Sequence, residues 1–284
     1  MRFNLITNHS NGVGLMQDAN MLAAELESRG HEVQRIQFDR PQGYTADVNV
    51  FLEVVVESLF RQAPVNWLVP NPEWHYQHWP LGPFRFVLAK THDAKRIFAA
   101  KVNGRCRYVG WRARDLYRPE VKRERRFLHV AGKSQFKNTE AVIEGCRLAG
   151  VELELISEKH SRRVSDEELT YAINRCQFFI CPSQYEGFGM ALHEALGCGA
   201  VVITMDAPPM NEIVPSLLIK PESSRPHNFG VLHTVAANAV KEAVETAMEY
   251  TDTEVSEWSE LSRAAFENEV GQFSQALDAV LAEA

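Results

Sequence analysis

Residues 181–204 read CPSQYEGFGMALHEALGCGAVVIT. This segment starts at the end of a predicted apolar strand, residues 177–181, and passes through a glycine-containing turn into a helix. We expect the helix to begin near Gly189 and to end at the GCG sequence, before a second apolar strand over residues 200–204. Ligands of open α/β folds bind at the carboxyl edge of a parallel sheet, so this unit predicts a binding crevice beside its turn.

The rest of the chain alternates strand-like and helix-like segments in the same way. Residues 3–38 predict an opening βαβ unit, and a second α/β series begins at Phe127. Between them, residues 111–126 have no clear period, carry a proline and are dense in charge, which indicates a domain boundary. We therefore predict two Rossmann-like parallel-sheet α/β domains. They are residues 1–115, on the acceptor side, and residues 116–284, whose last helix is a candidate to pack back on the first domain.

Charge is distributed unevenly along the chain. The 284 residues are 45% apolar, enough for a core in each of two domains, and the net charge of -7 argues against a protein that simply coats nucleic acid. Residues 85–126, however, contain 14 Lys or Arg against 4 Asp or Glu. This segment predicts either a contact with an anionic acceptor, a membrane surface or nucleic acid, or a solvated linker face.

The cysteines and the first residues indicate a cytoplasmic protein. The five cysteines are widely spaced and include no Cys-x-x-Cys pair, which is typical of reduced thiols. The chain opens directly on a predicted strand, without the features of a signal peptide, and no apolar run is long enough to predict a transmembrane helix.

Two acidic residues, Glu186 and Glu194, flank the turn and the helix of the 181–204 segment. Unpaired amides and the helix dipole at the helix start favour an anion. Carboxylates would repel a phosphate, so these two acids are better suited to accept hydrogen bonds from neutral hydroxyls, such as those of a sugar. The alternative is a capped helix with two solvated acids.

The sequence EGFGMALHEALGCGAVVIT resembles the E-x7-E signature of the retaining glycosyltransferases of family 4. This resemblance implies the GT-B architecture, in which two Rossmann-like domains face a cleft. It implies that Glu186 contacts the hydroxyls of the donor sugar and that the backbone of Gly187, Phe188 and Gly189 contacts sugar and phosphate. It assigns the ribose of the nucleotide to Glu194.

A second segment, AGKSQFKNTEAVIE at residues 131–144, is similar to the part of that family that carries an arginine and then a lysine facing the donor diphosphate. Lys133 and Lys137 occupy the comparable positions, and Lys133 keeps the charge of the arginine but not its bidentate geometry. Two such cations would stabilise the leaving diphosphate without a metal ion. Two exposed loop lysines are the alternative.

The sequence contains no motif that predicts a metal site. No Asp-x-Asp triad occurs, which argues against the metal-dependent single-domain glycosyltransferases, and no His or Cys spacing suggests zinc.

The N-terminal loop presents Gly12 and Gly14 between a strand and a helix, where backbone approaches a ligand closely. The resemblance places this loop on the donor, and His9 is then a polar contact to substrate or an ordinary loop histidine. A rival interpretation is a dinucleotide fingerprint with Asp39 as the ribose ligand. Gln17 stands where its third glycine is required.

The loop NPEWHYQHWP, residues 71–80, concentrates aromatic side chains after a strand. Aromatic faces stack on sugar rings or bases, so Glu73 and Trp74 are candidates for an acceptor platform. The alternative is a loop that packs its aromatics into its own domain.

Together these features predict a retaining, metal-independent glycosyltransferase that moves a hexose from a nucleoside-diphosphate sugar to a hydroxyl acceptor. Glu186, Lys133 and Lys137 are the predicted catalytic residues. We expect a UDP-sugar as donor substrate and no further cofactor. A non-catalytic nucleotide-sugar-binding module and a nicotinamide-dinucleotide-dependent oxidoreductase are the alternatives.

Overall fold

The computed structural model describes residues 1–10, 14–40, 44–161 and 164–284. The chain divides into two compact units, one of Met1–Arg112 with Gly271–Ala284, and one of Ala113–Val270. Each unit has its own parallel sheet, so the predicted fold class of two parallel-sheet α/β domains is confirmed.

The first unit contains a six-stranded parallel sheet in the order β2-β1-β3-β4-β5-β6. Its elements in chain order are β1 Arg2–Thr7, α1 Gly14–Ser28, β2 Glu32–Gln37, β3 Val48–Leu52, a 3-10 turn Glu57–Gln62, β4 Val65–Val69, β5 Phe86–Ala89, α2 His92–Val102 and β6 Cys106–Tyr108. Phe3, Phe51, Trp67 and Phe84 fill the core between the sheet and its helices.

The second unit contains a five-stranded parallel sheet in the order β11-β10-β9-β7-β8. Its elements are β7 Glu124–Gly132, α3 Thr139–Leu148, β8 Leu153–Ser157, α4 Asp166–Arg175, β9 Cys176–Ile180, α5 Met190–Gly197, β10 Val201–Met205, a 3-10 turn Met210–Glu212, β11 Leu217–Ile219, β12 Ser223–His227, β13 Gly230–Thr234, α6 Ala237–Glu249 and α7 Asp252–Ala282. Phe127 and Phe178 stack in its core with ring centroids 4.7 Å apart.

Local sequence signals explain several helix boundaries. Ser165 accepts a hydrogen bond from the Glu168 amide at 3.1 Å, and the Glu168 carboxylate accepts one from the Ser165 amide at 2.8 Å, which forms a capping box at the start of α4. The hydroxyl of Thr91 caps α2 by accepting from the Ala94 amide at 3.0 Å. The antiparallel pair β12 and β13 was not predicted, because its strands are short and polar.

The end of α7 belongs to the first unit. Phe273 packs against Trp111 with ring centroids 5.0 Å apart, and Arg29 donates to Asp278 at 2.6 Å. Arg107 donates to Glu283 at 2.8 Å.

Candidate functional site

The order of the strands in the second unit creates a crevice between β7 and β9. The chain passes from β7 to β8 on one side and then returns to β9 on the other, so the loops that follow β7 and β9 diverge above the sheet. Ligands of open α/β sheets bind outside the carboxyl ends of the strands at such a reversal point. The two loops are tied together by a bond from the Gln184 amide to the Phe136 carbonyl, at 2.8 Å, and by one from the Asn138 side chain to the Pro182 carbonyl, at 2.8 Å.

Lys137 and Glu186 meet at this crevice. The Lys137 ammonium donates a short hydrogen bond to the Glu186 carboxylate, and both side chains are 13% exposed. Ser183 donates a second hydrogen bond to the same carboxylate at 2.5 Å. The structure thus brings together two of the three residues predicted to be catalytic, one from each loop.

The turn that carries Glu186 passes through a left-handed backbone conformation at Gly189. This residue has φ 92° and ψ 50°, in the left-handed region, and a Cβ there would lie 3.6 Å from Cγ of Glu186 and 3.3 Å from Cδ1 of Leu192. Glycine occupies this region without the strain that a side chain brings. The residue therefore lets the chain pass from the Glu186 loop into α5.

Phe188 and His193 hold the same turn from the other side. Their rings stack 3.9 Å apart, and both residues are buried. His193 is hydrogen-bonded through Nδ1 to Glu269 of α7 at 2.8 Å. The Phe188 side chain thus packs within the turn, and a donor contact through the backbone of Gly187 and Phe188 stays a prediction.

Glu194 lies in α5 and is only 2% exposed. Arg114 donates from Nε to its carboxylate at 2.6 Å and also reaches Asp166 at 3.2 Å. Burial raises the pKa of Glu194, and the hydrogen bond from Arg114 opposes that rise. The predicted ribose ligand is therefore a buried carboxylate with a specific cationic partner.

Sequence reasoning missed Arg114. It lies in the irregular charged segment before β7, where no period or motif distinguishes one arginine from its neighbours. The only available signal was that a buried carboxylate in α5 requires a cation.

Lys133 occupies a different place from Lys137. Its side chain is 47% exposed, and its ammonium lies 4.0 Å from the Glu158 carboxylate. It borders a cavity of about 570 Å³, a size typical of ligand pockets. The cavity is lined by residues that follow β7, begin α3 and follow β8, together with Gln184: residues 132–135, 138–141 and 157–160.

In the first unit, the loop after β1 was predicted to contact the donor. Gly12 lies outside the described residues, and Gly14 is the first residue of α1. His9 is half-buried, its Nε2 lies 3.0 Å from the carbonyl of Leu5, and burial lowers its pKa. His9 is thereby tied to its own strand.

The aromatic loop at residues 71–80 packs largely on itself. Tyr76 and Trp79 meet edge to face at 4.9 Å, and His75 contacts Phe98 of α2 at 5.3 Å. Burial lowers the pKa of His75 to about 4. Of the predicted acceptor residues, Glu73 is buried and Trp74 is 40% exposed, so that only Trp74 presents a large face to solvent.

Glu53 was also missed. It follows β3 at the place where the strand order of the first sheet reverses, between β1 and β3, and it has a φ of 67°. Asn71 donates to its carboxylate at 2.6 Å, and burial raises the pKa of Glu53. A glutamate directly after an apolar strand was the sequence signal, and the left-handed backbone marks it as a second candidate residue.

Much of the positive charge of residues 85–126 is used within each unit. Lys90 pairs with Asp18 at 2.8 Å, Arg123 donates to the Gly199 carbonyl at 2.7 Å, and Arg125 donates to the carbonyl of Met248. A contact between this segment and an anionic surface or nucleic acid stays a prediction of the charge pattern.

Two further observations concern metals and membranes. Among the residues that the structure describes, no group of three or more His, Cys, Asp or Glu side chains is placed to hold a metal ion. In the same parts of the chain, no helix combines the length and the apolar character needed to cross a membrane.

The chain has the two parallel-sheet units of the GT-B fold. Residues 118–218 match the family model described as glycosyl transferases group 1, and this matched region holds both Lys137 and Glu186. The class predicted from the two motifs is confirmed.

Two curated relatives match short segments of the chain. The GDP-mannose:cellobiosyl-diphosphopolyprenol alpha-mannosyltransferase of Xanthomonas oryzae pv. oryzae is 44% identical over 45 residues, which are 16% of this chain and 12% of that protein. The O-antigen chain mannosyltransferase B of Escherichia coli is 39% identical over 51 residues, 18% of this chain and 13% of that protein. The matches thus span about an eighth of the length of these relatives.

The likeness in fold extends over the whole chain. Sucrose-phosphate synthase from Thermosynechococcus elongatus superposes with a TM-score of 0.72 at 14% identity, and the match covers 100% of both chains. At this identity the likeness establishes the fold.

Proposed function

We propose that this protein is a retaining glycosyltransferase that moves a hexose from a nucleoside-diphosphate sugar to a hydroxyl acceptor without a metal ion. The observation that carries the proposal is the meeting of Lys137 and Glu186 at the carboxyl ends of β7 and β9, beside the left-handed Gly189. The group 1 match over the same residues supports it.

The carboxylate of Glu186 is placed to bind the hydroxyls of the sugar rather than the phosphates of the donor. The Glu186 carboxylate accepts hydrogen bonds from Lys137 and Ser183 at a partly exposed position, and it would accept sugar hydroxyls in the same way. The positive charge of Lys137 lies directly beside it, where a diphosphate leaving group would take the ammonium as its partner. Lys133 would supply further charge from the rim of the adjacent cavity.

The transfer step needs little covalent chemistry from the protein. The bond between the anomeric carbon and the donor phosphate oxygen breaks, and the acceptor oxygen forms its bond on the same face. The proton of the acceptor passes to the departing phosphate. The lysines stabilise the negative charge that grows on the diphosphate, which is the role that fixed cations perform best in a site shielded from water.

The donor is the first property to test. We expect a UDP-sugar, while the name of the Xanthomonas relative specifies GDP-mannose. A thermal-shift screen should therefore compare UDP-glucose, UDP-galactose, GDP-mannose, ADP-glucose and the nicotinamide dinucleotides. Release of the nucleoside diphosphate from each stabilising sugar is then measured with and without EDTA.

We expect one class of nucleotide sugar to stabilise the protein and to be hydrolysed slowly, and we expect EDTA to leave that rate unchanged. Glu186→Gln should abolish most of the release. Stabilisation without any release would indicate a binding module. Stabilisation by a nicotinamide dinucleotide alone would contradict the proposal.

A further inference from the structure

The carboxylate of Glu194 depends on one arginine from a distant part of the chain. Arg114 lies 80 residues earlier, and its Nε donates to Oε1 of Glu194 at 2.6 Å. The side chain of Glu194 is 3% exposed and that of Arg114 is 22% exposed. The pair is thus buried at its acidic end and partly exposed at its basic end.

The segment that follows Arg114 is held by hydrogen bonds to other parts of the second unit. The amide of Arg118 donates to the Asn174 side chain at 2.7 Å, and the Asn174 amide group donates to the Leu116 carbonyl at 2.7 Å. Asp115 forms a two-pronged pair with Arg263 of α7, at 2.7 and 2.8 Å. These contacts fix the segment that carries the guanidinium.

The same network reaches the helix that carries Glu194. Arg263 also donates to the carbonyl of Gly197, the last residue of α5, at 2.9 Å. Arg263 therefore contacts both the end of α5 and the residue next to Arg114. This shared partner holds the irregular segment close enough to α5 for Arg114 to pair with Glu194.

The hydrogen bond from Arg114 to Glu194 engages only one carboxylate oxygen. A carboxylate has about four lone-pair sites on its two oxygens. Nε of Arg114 engages one oxygen, so the carboxylate retains acceptor capacity while its rotation is restricted. Two neighbouring hydroxyls of a ribose are suited to such an acceptor, because each donates one hydrogen bond to the same group.

We propose that Arg114 is a positioning residue that holds the Glu194 carboxylate in one orientation for the two ribose hydroxyls of the donor nucleotide. This inference rests on the proposed function. It predicts that Arg114, without contacting the ribose itself, determines how strongly the protein distinguishes a ribonucleotide from a nucleotide that lacks those hydroxyls.

The test measures the dissociation constants of GDP and UDP and of their 2′,3′-dideoxy counterparts by calorimetry. The proteins are the full-length chain and its Arg114→Met, Arg114→Lys, Glu194→Gln and Arg118→Met variants. Arg118→Met is the matched control, because this substitution removes the same charge from the same segment at a side chain that is exposed.

The unaltered protein should bind whichever ribonucleotide it accepts roughly tenfold or more tightly than the dideoxy form, since the dideoxy form loses hydrogen bonds to a charged group. Arg114→Met should reduce that ratio to the value of Glu194→Gln and should weaken binding of the dideoxy form much less. Arg114→Lys should give an intermediate ratio, and Arg118→Met should leave it unchanged.

Two results would overturn different claims. If GDP or UDP binds and Arg114→Met or Arg114→Lys, folded as judged by circular dichroism, keeps the full ratio, Arg114 does not position Glu194. If neither nucleotide binds the unaltered protein, the proposed function is lost and this inference with it. Should Arg114→Met not fold, Arg114→Lys decides the question by the same ratio.

Discussion

Lys137 donates a hydrogen bond to Glu186, although the two residues are 49 positions apart and belong to loops that follow different strands. Neither residue reaches the other through local structure. They meet because β7 and β9 are neighbours in the sheet and their carboxyl ends lie at the same edge. The cation and the acid of the site therefore form a direct ion pair.

We expect Lys137→Ala to lower kcat for nucleotide-sugar hydrolysis by about 10²- to 10³-fold, the usual loss when one fixed charge-stabilising group is removed from an active site. The effect should fall on kcat more than on KM, because the leaving group gains its charge during the reaction.

Lys241→Ala is the control for Lys137→Ala. Lys241 forms an exposed ion pair with Glu245 on α6, and its loss should leave kcat unchanged. Equal activity of the Lys137→Ala and Lys241→Ala proteins would refute the role of Lys137.

Gly189→Ala should weaken donor binding. An L residue at a φ of 92° is strained by about 1–2 kcal/mol, and the new Cβ would press on Leu192 and approach Glu186. Gly150 serves as the matched control because it has a φ of 71° and nothing within 4 Å of its Cβ position. Both alanine variants should lower the melting temperature, and only Gly189→Ala should raise the dissociation constant of the nucleotide sugar.

His129 should make the protein lose stability in mild acid. Its Nδ1 lies 2.7 Å from the Ile180 carbonyl and its Nε2 lies 3.0 Å from the Thr139 hydroxyl. Nδ1 must donate to the carbonyl, so the neutral ring accepts from Thr139. Burial lowers the pKa of His129 from 6.5 to about 4.

The sign of this effect follows from proton binding. In the unfolded chain His129 takes up a proton below about pH 6.5, whereas in the folded protein it does so only near pH 4. The free energy that the buried neutral ring contributes to stability is therefore complete above pH 6.5 and is lost as the pH falls. We expect His129 to account for about 2 kcal/mol of lost stability between pH 7 and pH 5. Urea unfolding at both pH values measures this loss, which should be smaller by that amount in His129→Gln. Parallel pH dependence of the two proteins would contradict the prediction.

Two glycines in helices should respond to alanine in opposite directions. A Cβ at Gly145 of α3 would lie 2.5 Å from the Val240 side chain and 2.9 Å from the Ala237 carbonyl of α6. Overpacking of this kind costs about 1–3 kcal/mol, more than the helix propensity of alanine returns. At Gly271 of α7 nothing lies within 4 Å of the Cβ position, so alanine there should stabilise the protein by up to about 1 kcal/mol.

Thermal unfolding of the Gly145→Ala and Gly271→Ala proteins checks this pair. A lower melting temperature for the first and a higher one for the second are expected. A gain in stability from Gly145→Ala would mean that α3 and α6 are not packed as closely as described.

The sequence by itself determined those parts of the site that depend on short-range order. The capping box of Ser165 and Glu168 predicts the start of α4, and the glycines around α5 predict its ends, because caps and turns involve residues only a few positions apart. The resemblance of the two motifs to a known family likewise predicts that Lys137 and Glu186 belong to one site. Each motif directly follows a predicted strand, and this position can be recognised from the sequence.

Only the tertiary structure decided which cation serves Glu194. Arg114 has no local feature that distinguishes it from the other arginines of its segment, and its role arises from the 2.6 Å contact that the fold creates across 80 residues. Glu53 is a comparable case, since its left-handed backbone and half-buried side chain depend on the neighbours of β3. Charge pairing between distant residues is set by strand order and burial, and neither is a property of a short sequence.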